Sequence, residues 1–250
     1  MAKIKNPMTV VSAGGGSVIV SKSITQNGTY NASSDSADGY NPVTVNVPPT
    51  LFRQLVDKSI TSVTAQDLYG GTSIGQYAFY NCSSLTSIEI PSTVTSIGEE
   101  AFGWCISLTS ITFSSGSQLS YINTRAFYHT SQLFKLILPS SLSRISSLAF
   151  YQGSGGYFKR LIFLGVTPPI LDNADAFNST NNCPIYVPTP DNYKIATNWV
   201  SIASRIFPLV STAADLANID TTTYTKACVI GTDESYKEYT YDGTQWNEVV

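Results

Sequence analysis

The feature that most constrains this chain is a unit of about 23 residues repeated at least four times in its middle. Residues 73–79 read SIGQYAF, 96–102 SIGEEAF, 121–127 YINTRAF and 144–150 RISSLAF, so an isoleucine recurs at 74, 97, 122 and 145 in steps of 23, 25 and 23. After each Ala-Phe comes a leucine-like position (Leu85, Leu108, Leu133, Phe158) and then an alternating apolar pair: Ile88 and Ile90, Ile111 and Phe113, Leu136 and Leu138, Leu161 and Phe163. Alternation over so few residues marks a short strand. Proline follows at Pro91 and Pro139, and a second apolar step (Val94 to Ile97, Leu119 to Ile122, Leu142 to Ile145) leads into the next unit. A unit this short cannot close a core alone. Its apolar residues must stack on their equivalents one coil away, with strands pairing in parallel at ~4.8 Å, which is a solenoid. The two extra residues of the 25-residue step fall in SSGSQ at 114–118, a loop that can bulge outward without moving the apolar ladder. A fifth unit is degenerate, with Ala176-Phe177 and then the strand Ile185-Tyr186-Val187 before Pro188, and 60–68 reads as an edge coil.

Composition narrows the classes further. The 250 residues carry 17 acidic and 14 basic side chains, and charged residues are only 12%, about half the ~25% usual in globular proteins. Polarity comes instead from 33 Ser and 27 Thr, 24% of the chain. A slightly acidic balance lacks the basic footprint of a nucleic-acid binder. Hydrophobic content of 42%, with 15 Tyr and 11 Phe, supports a real core. No stretch approaches the ~20 apolar residues of a membrane span. The opening MAKIKNPMTVVSAGGGSVIV has no apolar core of the signal-peptide kind, so the expectation is a chain that stays in the cell that makes it unless released by lysis or within a particle. Cys82, Cys105, Cys183 and Cys228 form no C-x-x-C pair, which argues against zinc and for buried reduced thiols. Cys82 and Cys105 sit one repeat apart, so a bridge between stacked neighbours stays geometrically open.

The pattern I-G-x-x-A-F, a Cys three places after the Phe, then L-x-x-I-x-I-P resembles the BspA-like leucine-rich repeat family of bacterial surface adhesins and of proteins from gut bacteria and their phages, over about 60–187. The resemblance implies inward-facing free thiols at Cys82 and Cys105. Thr130 and Gly153 replace the Cys, and Ser114 and Leu164 the Pro, so later coils are expected to be less regular. The segment 187–207, VPTPDNYKIATNWVSIASRIF, resembles the segment that often succeeds such repeats in that family. Its residues read as a helix with Thr189 as cap, Pro190 at N1, and Tyr193, Ala196, Trp199, Val200, Ala203, Ile206 and Phe207 on one face. Placed over 189–209, it would cap the open sheet edge. The expected fold is mainly β: a right-handed leucine-rich-repeat solenoid at 51–188, this capping helix, and small flanking β modules at 1–50 and 210–250. The N-terminal flank shows Val18, Val20, Ile24, an Asn27-Gly28 turn, then Val43, Val45 and Val47 before Pro48-Pro49. Its string ITQNGTYNASSDSADGYNPVTVNVP resembles a module at the start of phage structural proteins. The C-terminal YKEYTYDGTQWNEV reads as a hairpin turning at Asp242-Gly243, with Tyr239, Tyr241 and Trp246 packed together, and is similar to ends of phage tail and fibre proteins.

Chemistry is sparse. His129 takes the loop position held by Asn81 and Trp104 in earlier coils, a variable surface site. The pairs Glu99-Glu100 and Asp172 with Asp175 splay apart rather than flank a cleft. DSADG at 35–39 lacks the remaining ligands of a calcium loop, and Gly14 to Gly16 are not followed by Gly-Lys-Ser/Thr. No catalytic, metal-binding or cofactor-binding residue is expected, and the chain reads as no enzyme, with glycan hydrolysis the enzymatic rival. The candidate ligand-binding face is the outward side of the strands: a column Ser87, Ser110, Lys135, Arg160 and a second column Glu89, Thr112, Ile137, Ile162. The first turns basic along the solenoid and suits an acidic or sugar-phosphate ligand, ordinary solvated strand faces being the alternative. Tyr80, Tyr128, Tyr151 and Trp104 serve either core packing or ligand stacking, with Trp104 leaning to exposure. With the resemblances, these features lead to the expectation of a non-catalytic phage virion surface protein (tail fibre, tail tip or decoration). It would be assembled in the host cytoplasm, held to other virion proteins by its N-terminal module, and bind a host surface glycan or protein. Homotrimer packing is compatible with the flanks but not fixed by them. The alternatives are a bacterial BspA-like cell-surface adhesin and a purely structural virion protein.

Overall fold

The computed structural model describes residues 9–10, 19–20, 61–63, 72–153, 159–178, 183–231 and 235–249, and these are mainly strands with few helices. The expected strands around Asn27-Gly28 and Val43 to Val47, the edge coil near 60–68 apart from its Thr61 to Val63, and Phe158 lie outside the described residues. Of the N-terminal flank, β1 (Thr9–Val10) and β2 (Ile19–Val20) form an antiparallel pair.

Each repeat contributes two strands. The first set is β3 (Ser62–Val63), β5 (Ser87–Ile90), β7 (Ser110–Phe113), β9 (Lys135–Leu138), β11 (Arg160–Phe163) and β13 (Ile185–Val187); the second, shorter set is β4 (Ser73–Ile74), β6 (Ser96–Ile97), β8 (Tyr121–Ile122), β10 (Arg144–Ile145) and β12 (Ile170–Leu171). Equivalent residues pair in parallel: Ile88 with Ile111, Leu136 with Leu161, and Ile74, Ile97, Ile122, Ile145 and Leu171 in one continuous five-stranded sheet. In the first set the ladder is interrupted. β3, β5 and β7 form one sheet, β9 begins another, and β7 packs beside β9 without pairing to it, so the expected run from Ile88 to Leu161 consists of two ladders.

The core is built from columns of identical residues. Phe79, Phe102, Phe127, Phe150 and Phe177 stack face to face at centroid spacings of 5.3, 5.4, 5.6 and 5.3 Å, all buried. Ala78, Ala101, Ala126, Ala149 and Ala176 precede them and are buried in the same column arrangement. Two residues per coil adopt left-handed backbone: Tyr77, Glu100, Arg125 and Leu148 at one position, and Asn81, Trp104, His129 and Gly153 at the other. They turn the arc so that alternate N–H groups point along the stack. Tyr77, Phe79 and Asn81 donate to the carbonyls of Glu99, Ala101 and Gly103, and the pattern repeats from Phe102 to Ala126 and from Phe127 to Ala149.

The hydroxyl-rich composition has a structural use. Thr86 Oγ1 donates to Thr61 O and Thr109 Oγ1 to Thr86 O, while Thr95, Ser120 and Ser143 hydroxyls donate to the carbonyls of Thr72, Thr95 and Ser120. Each Ser or Thr thus bonds its own equivalent one coil back, adding a side-chain bond to the backbone ladder. The insertion at 114–118 does bulge outward, around Gly116 at φ +72°, and Leu119 resumes the buried column. All four cysteines are buried thiols and none is in a disulfide; Cys105 Sγ donates to Phe79 O at 3.0 Å, and Thr130, which replaces the Cys one coil on, donates through its hydroxyl to Phe127 O.

The segment after β13 departs from the expected helix. Pro190–Ile195 forms a short α-helix (α1), Val200–Arg205 a 3-10 helix, and Ile206 and Phe207 already lie in strand β14 (Ile206–Val210). Ala196 is extended and Asn198 left-handed, which breaks the single apolar face, and Val200 is exposed. Thr189 does not cap the helix with its side chain; its hydroxyl goes to Val166 O. The physical reason is the end of the five-stranded sheet. Along that sheet each carbonyl at the 143 and 145 positions accepts from the next coil, Ser143 O from Ile170 N and Ile145 O from Asp172 N. At the last strand, β12, the corresponding carbonyls are those of Pro169 and Leu171, and they accept from Trp199 Nε1 (2.8 Å) and Asn198 Nδ2 (2.7 Å). Breaking the helix at Asn198 aims both side chains at the sheet, and the Trp199 ring covers Phe177 at the end of the phenylalanine stack.

The edge of β13 is covered by β14, not by a helix. Ile206 to Pro208 pair with β13, and Leu209 and Val210 with β15 (Lys226–Ile230). The antiparallel β16 (Tyr236–Tyr241) and β17 (Trp246–Glu248) complete a seven-stranded sheet running β17-β16-β15-β14-β13-β11-β9. β16 and β17 form the hairpin expected at Asp242-Gly243, with Tyr241 against Trp246 and Gly243 at φ +103°. By changing partners at Pro208, β14 lets this sheet fold back over its own outer face, and Ile137, Ile162, Tyr186, Leu209 and Cys228 close into a second core.

Candidate binding surfaces

The outward strand face divides at the same break as the ladder. On β5 and β7, Ser87 pairs with Ser110 and Glu89 with Thr112; Ser110 and Thr112 are exposed, Ser87 and Glu89 half-buried, and Glu89 accepts from Ser114 Oγ at 3.1 Å. This face is polar and nearly uncharged. On β9 and β11 the expected face is covered. Ile137 and Ile162 do turn away from the repeat core, but only 8% and 0% of their surface is exposed because the C-terminal strands lie on them. The basic part of the column is consumed the same way. Arg160 pairs with Glu238 at 2.8 Å, with both side chains largely buried, and also bonds Tyr236 Oη, while Lys135 Nζ lies 4.6 Å from the Tyr236 ring centroid. The expectation of an open basic stripe at Lys135, Ile137, Arg160 and Ile162 is therefore corrected.

On the turn arc, Trp104 is 41% exposed. Its indole stacks on His129 at 4.2 Å with planes 19° apart, Tyr128 meets His129 edge-on at 4.4 Å, and Tyr128 stacks on Tyr151 at 5.3 Å. Burial lowers the His129 pKa from its ordinary value. The aromatics at this position thus pack on one another, and Trp104 also presents surface to solvent.

The carboxylates considered as acids are structural. Glu99 accepts from Gln76 Nε2, and Glu100 lies 3.6 Å from Arg125. Asp172 accepts from Arg144 Nε (2.7 Å) and Ser146 Oγ, and Asp175 from Ser147 Oγ, so both tie the last coil to the one before it. The Ser146 hydroxyl first, then Arg144, holds the Asp172 carboxyl below its ordinary pKa. Burial pushes the thiols of Cys183 and Cys228 up to about 12. A cavity of about 340 Å³ opens among Pro188, Pro208, Leu209 and Tyr224, rimmed by Asp191 and Asp220, but Asp191 accepts from Tyr224 Oη and Asp220 from Thr222 and Thr223. Among the described residues there is no group of three or more His, Cys, Asp or Glu placed to hold a metal ion, and no helix is long and apolar enough to cross a membrane.

Residues 52–161 match the BspA type leucine-rich repeat region, six copies. The match ends within β11, whereas strand stacking continues through β13. Similar solved structures are a leucine-rich repeat protein of T. pallidum (25% identity, 54% of this chain and 61% of that one, TM-score 0.45), a leucine-rich repeat protein from Bacteroides capillosus ATCC 29799 (24%, 42% and 64%, 0.32) and the pneumococcal vaccine antigen PcpA (19%, 52% and 43%, 0.34). The chain spans less than two thirds of the length of each of these proteins. No curated protein matches it. The mainly-strand architecture is consistent with a leucine-rich-repeat fold.

Reasoning from sequence missed the covered half of the strand face. A signal was present: β5 and β7 read SIEI and SITF, alternating, whereas β9, β11 and β13 read KLIL, RLIF and IYV, with apolar residues on both faces. Near-continuous apolar strands are buried on both sides.

Proposed function

We propose that this chain is a non-catalytic, adhesin-like binding protein displayed on a surface, which recognises its partner through a leucine-rich-repeat solenoid. The observation that carries the reading is the BspA-type match over 52–161 together with coils that stack residue on equivalent residue. In this reading the repeats are right-handed coils of about 23 residues over 51–188, Asn198 and Trp199 close their C-terminal end, and 1–50 and 210–250 are flanking modules. Two settings fit. A phage virion part, such as a tail fibre, tail tip or decoration protein, is favoured by the flank sequences; it would be anchored by the N-terminal module, trimeric or not, and assembled in the host cytoplasm. A bacterial cell-surface adhesin is equally well supported by the repeat match. The polar face of Ser87, Glu89, Ser110 and Thr112 and the Trp104 ridge remain open for a ligand, while carboxylates engaged in structural bonds support a binding rather than a hydrolytic role.

Electron microscopy of purified phage particles and of intact bacterial cells, both labelled with antibody to this chain, tests the setting. Label on particles supports the virion assignment, label on cells alone the adhesin. Label on neither overturns surface display. Catalysis is tested by incubation with cell-wall and capsular polysaccharide followed by a reducing-end assay, in which sugar release lost on mutating one carboxylate would refute the non-catalytic reading.

A further inference from the structure

Trp104 occupies a costly position. The left-handed backbone that this site requires (φ +61°) is held elsewhere by Asn81, His129 and Gly153, residue types that tolerate it, whereas a bulky side chain there is disfavoured by roughly 1 kcal/mol or more. A tryptophan that was merely filling the core would offset that cost by burial, yet the indole stays 41% exposed. It is also held rigidly. His129 backs one face at 4.2 Å, and His129 is itself seated against Gly153, where an added Cβ would come within 2.2 Å of the imidazole Cε1. In Trp104's own coil the preceding residue is Gly103, where the other coils carry Tyr80, Tyr128 and Tyr151; the Tyr80 ring lies against it, so that a Cβ would stand 3.0 Å from Tyr80 Cδ2. Asn81, Trp104, His129 and Gly153 thus form one column, in which the partly exposed Trp104 indole is backed by the His129 imidazole.

We infer that Trp104 is the stacking platform of a binding site for a neutral carbohydrate. This rests on the surface-binding role proposed above and names the ligand class. A sugar ring presents an apolar C–H face the size of an indole and hydroxyls at its rim, and the surroundings offer the complement: the exposed amide of Asn81 one coil before and the imidazole of His129 one coil after. Charge selects against an acidic ligand, because the nearby cation, Arg125, is paired with Glu100 at 3.6 Å and lies over the Tyr128 ring.

The test is a printed array of neutral and acidic oligosaccharides probed with the full chain, followed by calorimetric titration of the best neutral ligand into wild type and each variant, and by its effect on Trp104 fluorescence in a Trp246→Phe background, where Trp199 is buried. The expected result is binding to neutral glycans with quenching. Trp104→Ala should weaken it about tenfold or more and His129→Ala by a smaller factor, about threefold. Unchanged thermal melting of both variants separates loss of the site from loss of the fold. Trp104→Phe, which keeps an aromatic face, should retain most of the affinity and serves as the second variant if Trp104→Ala melts early. Binding to no neutral glycan, binding to acidic glycans alone, or equal affinity in Trp104→Ala overturns the inference. If cells or particles still bind the chain in that case, the surface-binding role stands and only its ligand class falls.

Discussion

Replacing Trp199 by phenylalanine isolates the device that ends the five-stranded sheet. The wild-type indole is fully buried, lies 5.3 Å from Phe177, 5.4 Å from Phe163 and 4.9 Å from Tyr193, and donates to Pro169 O at 2.8 Å. Phenylalanine keeps one ring in the stack but removes roughly a third of the buried area and the hydrogen bond of the indole N–H. A tryptophan buries ~150–250 Å², worth ~4–6 kcal/mol at ~25 cal/mol per Å², so a third is ~1.5 kcal/mol. Leaving the Pro169 carbonyl unmet in the interior adds ~1–3 kcal/mol. The expected loss is about 2.5–4.5 kcal/mol, and with ~2–4 °C per kcal/mol for a chain of this size the melting temperature should fall by about 5–18 °C. Asn198→Gly keeps the left-handed backbone, removes the donor to Leu171 O, and should cost about 1–2 kcal/mol. Circular dichroism melts of the two single variants and the double variant measure both contributions. If Trp199→Phe melts within about 1 °C of wild type, the side chains of Asn198 and Trp199 are not what terminates the sheet, and the argument from carbonyl satisfaction fails.

The second core and the buried or bonded polar groups carry consequences of their own. Ile162→Asp should destabilise by about 3 kcal/mol or more, since it places a charge under the C-terminal strands, whereas Thr112→Asp on the open face should change urea stability by less than about 0.5 kcal/mol; equal effects would refute the covered face. Glu238→Ala should cost about 1–3 kcal/mol by stranding the largely buried Arg160, read by the same urea titration, with no change in any binding that maps to the β5 and β7 face. The four buried thiols, with Cys183 and Cys228 pushed up to about 12, should be silent to Ellman's reagent at about pH 8, near the ordinary thiol pKa, until denaturant is added; prompt reaction in the native state would contradict their packing. Because Asp172 is held below its ordinary pKa, the stability it contributes is present above the unfolded value of ~3.9 and is lost as pH falls through the folded one, so Asp172→Asn should flatten the acid limb of a stability-versus-pH curve. An unaltered acid limb would show that the Arg144 and Ser146 contacts contribute nothing.

The repeat was legible because its signal is written several times over. Ile74, Phe79, Leu85 and Ile88 each recur one coil on, and the structure puts each recurrence one strand or one ring further along the stack, so even a degenerate fifth unit is anchored by Ala176-Phe177. The features that the repeat pattern did not reveal are decided by contacts made once. The helix pattern from Tyr193 to Phe207 is genuine as a periodicity, yet two carbonyls at Pro169 and Leu171 compete for the side chains of Trp199 and Asn198, and their satisfaction outweighs a few residues of helix propensity. Local pattern cannot register an acceptor that lies so far upstream in the chain.

The same distinction governs the binding surface. Outward positions of a repeat strand can be named from alternation alone, and Ile137 and Ile162 do point away from the repeat core. Whether such a position meets solvent depends on what the rest of the chain does, and here β14 changes partner at Pro208 and brings β15 and β16 across the later coils. The charges of Lys135 and Arg160, which on an isolated solenoid would be a ligand's attraction, are answered by Glu238 and Tyr236 of the same chain. Selection for an open face would disfavour isoleucine at 137 and 162, and selection for a covered one would favour it. The residues present, together with the Ser, Glu and Thr of the earlier coils, leave the outward strand face open on β5 and β7 and covered on β9 and β11.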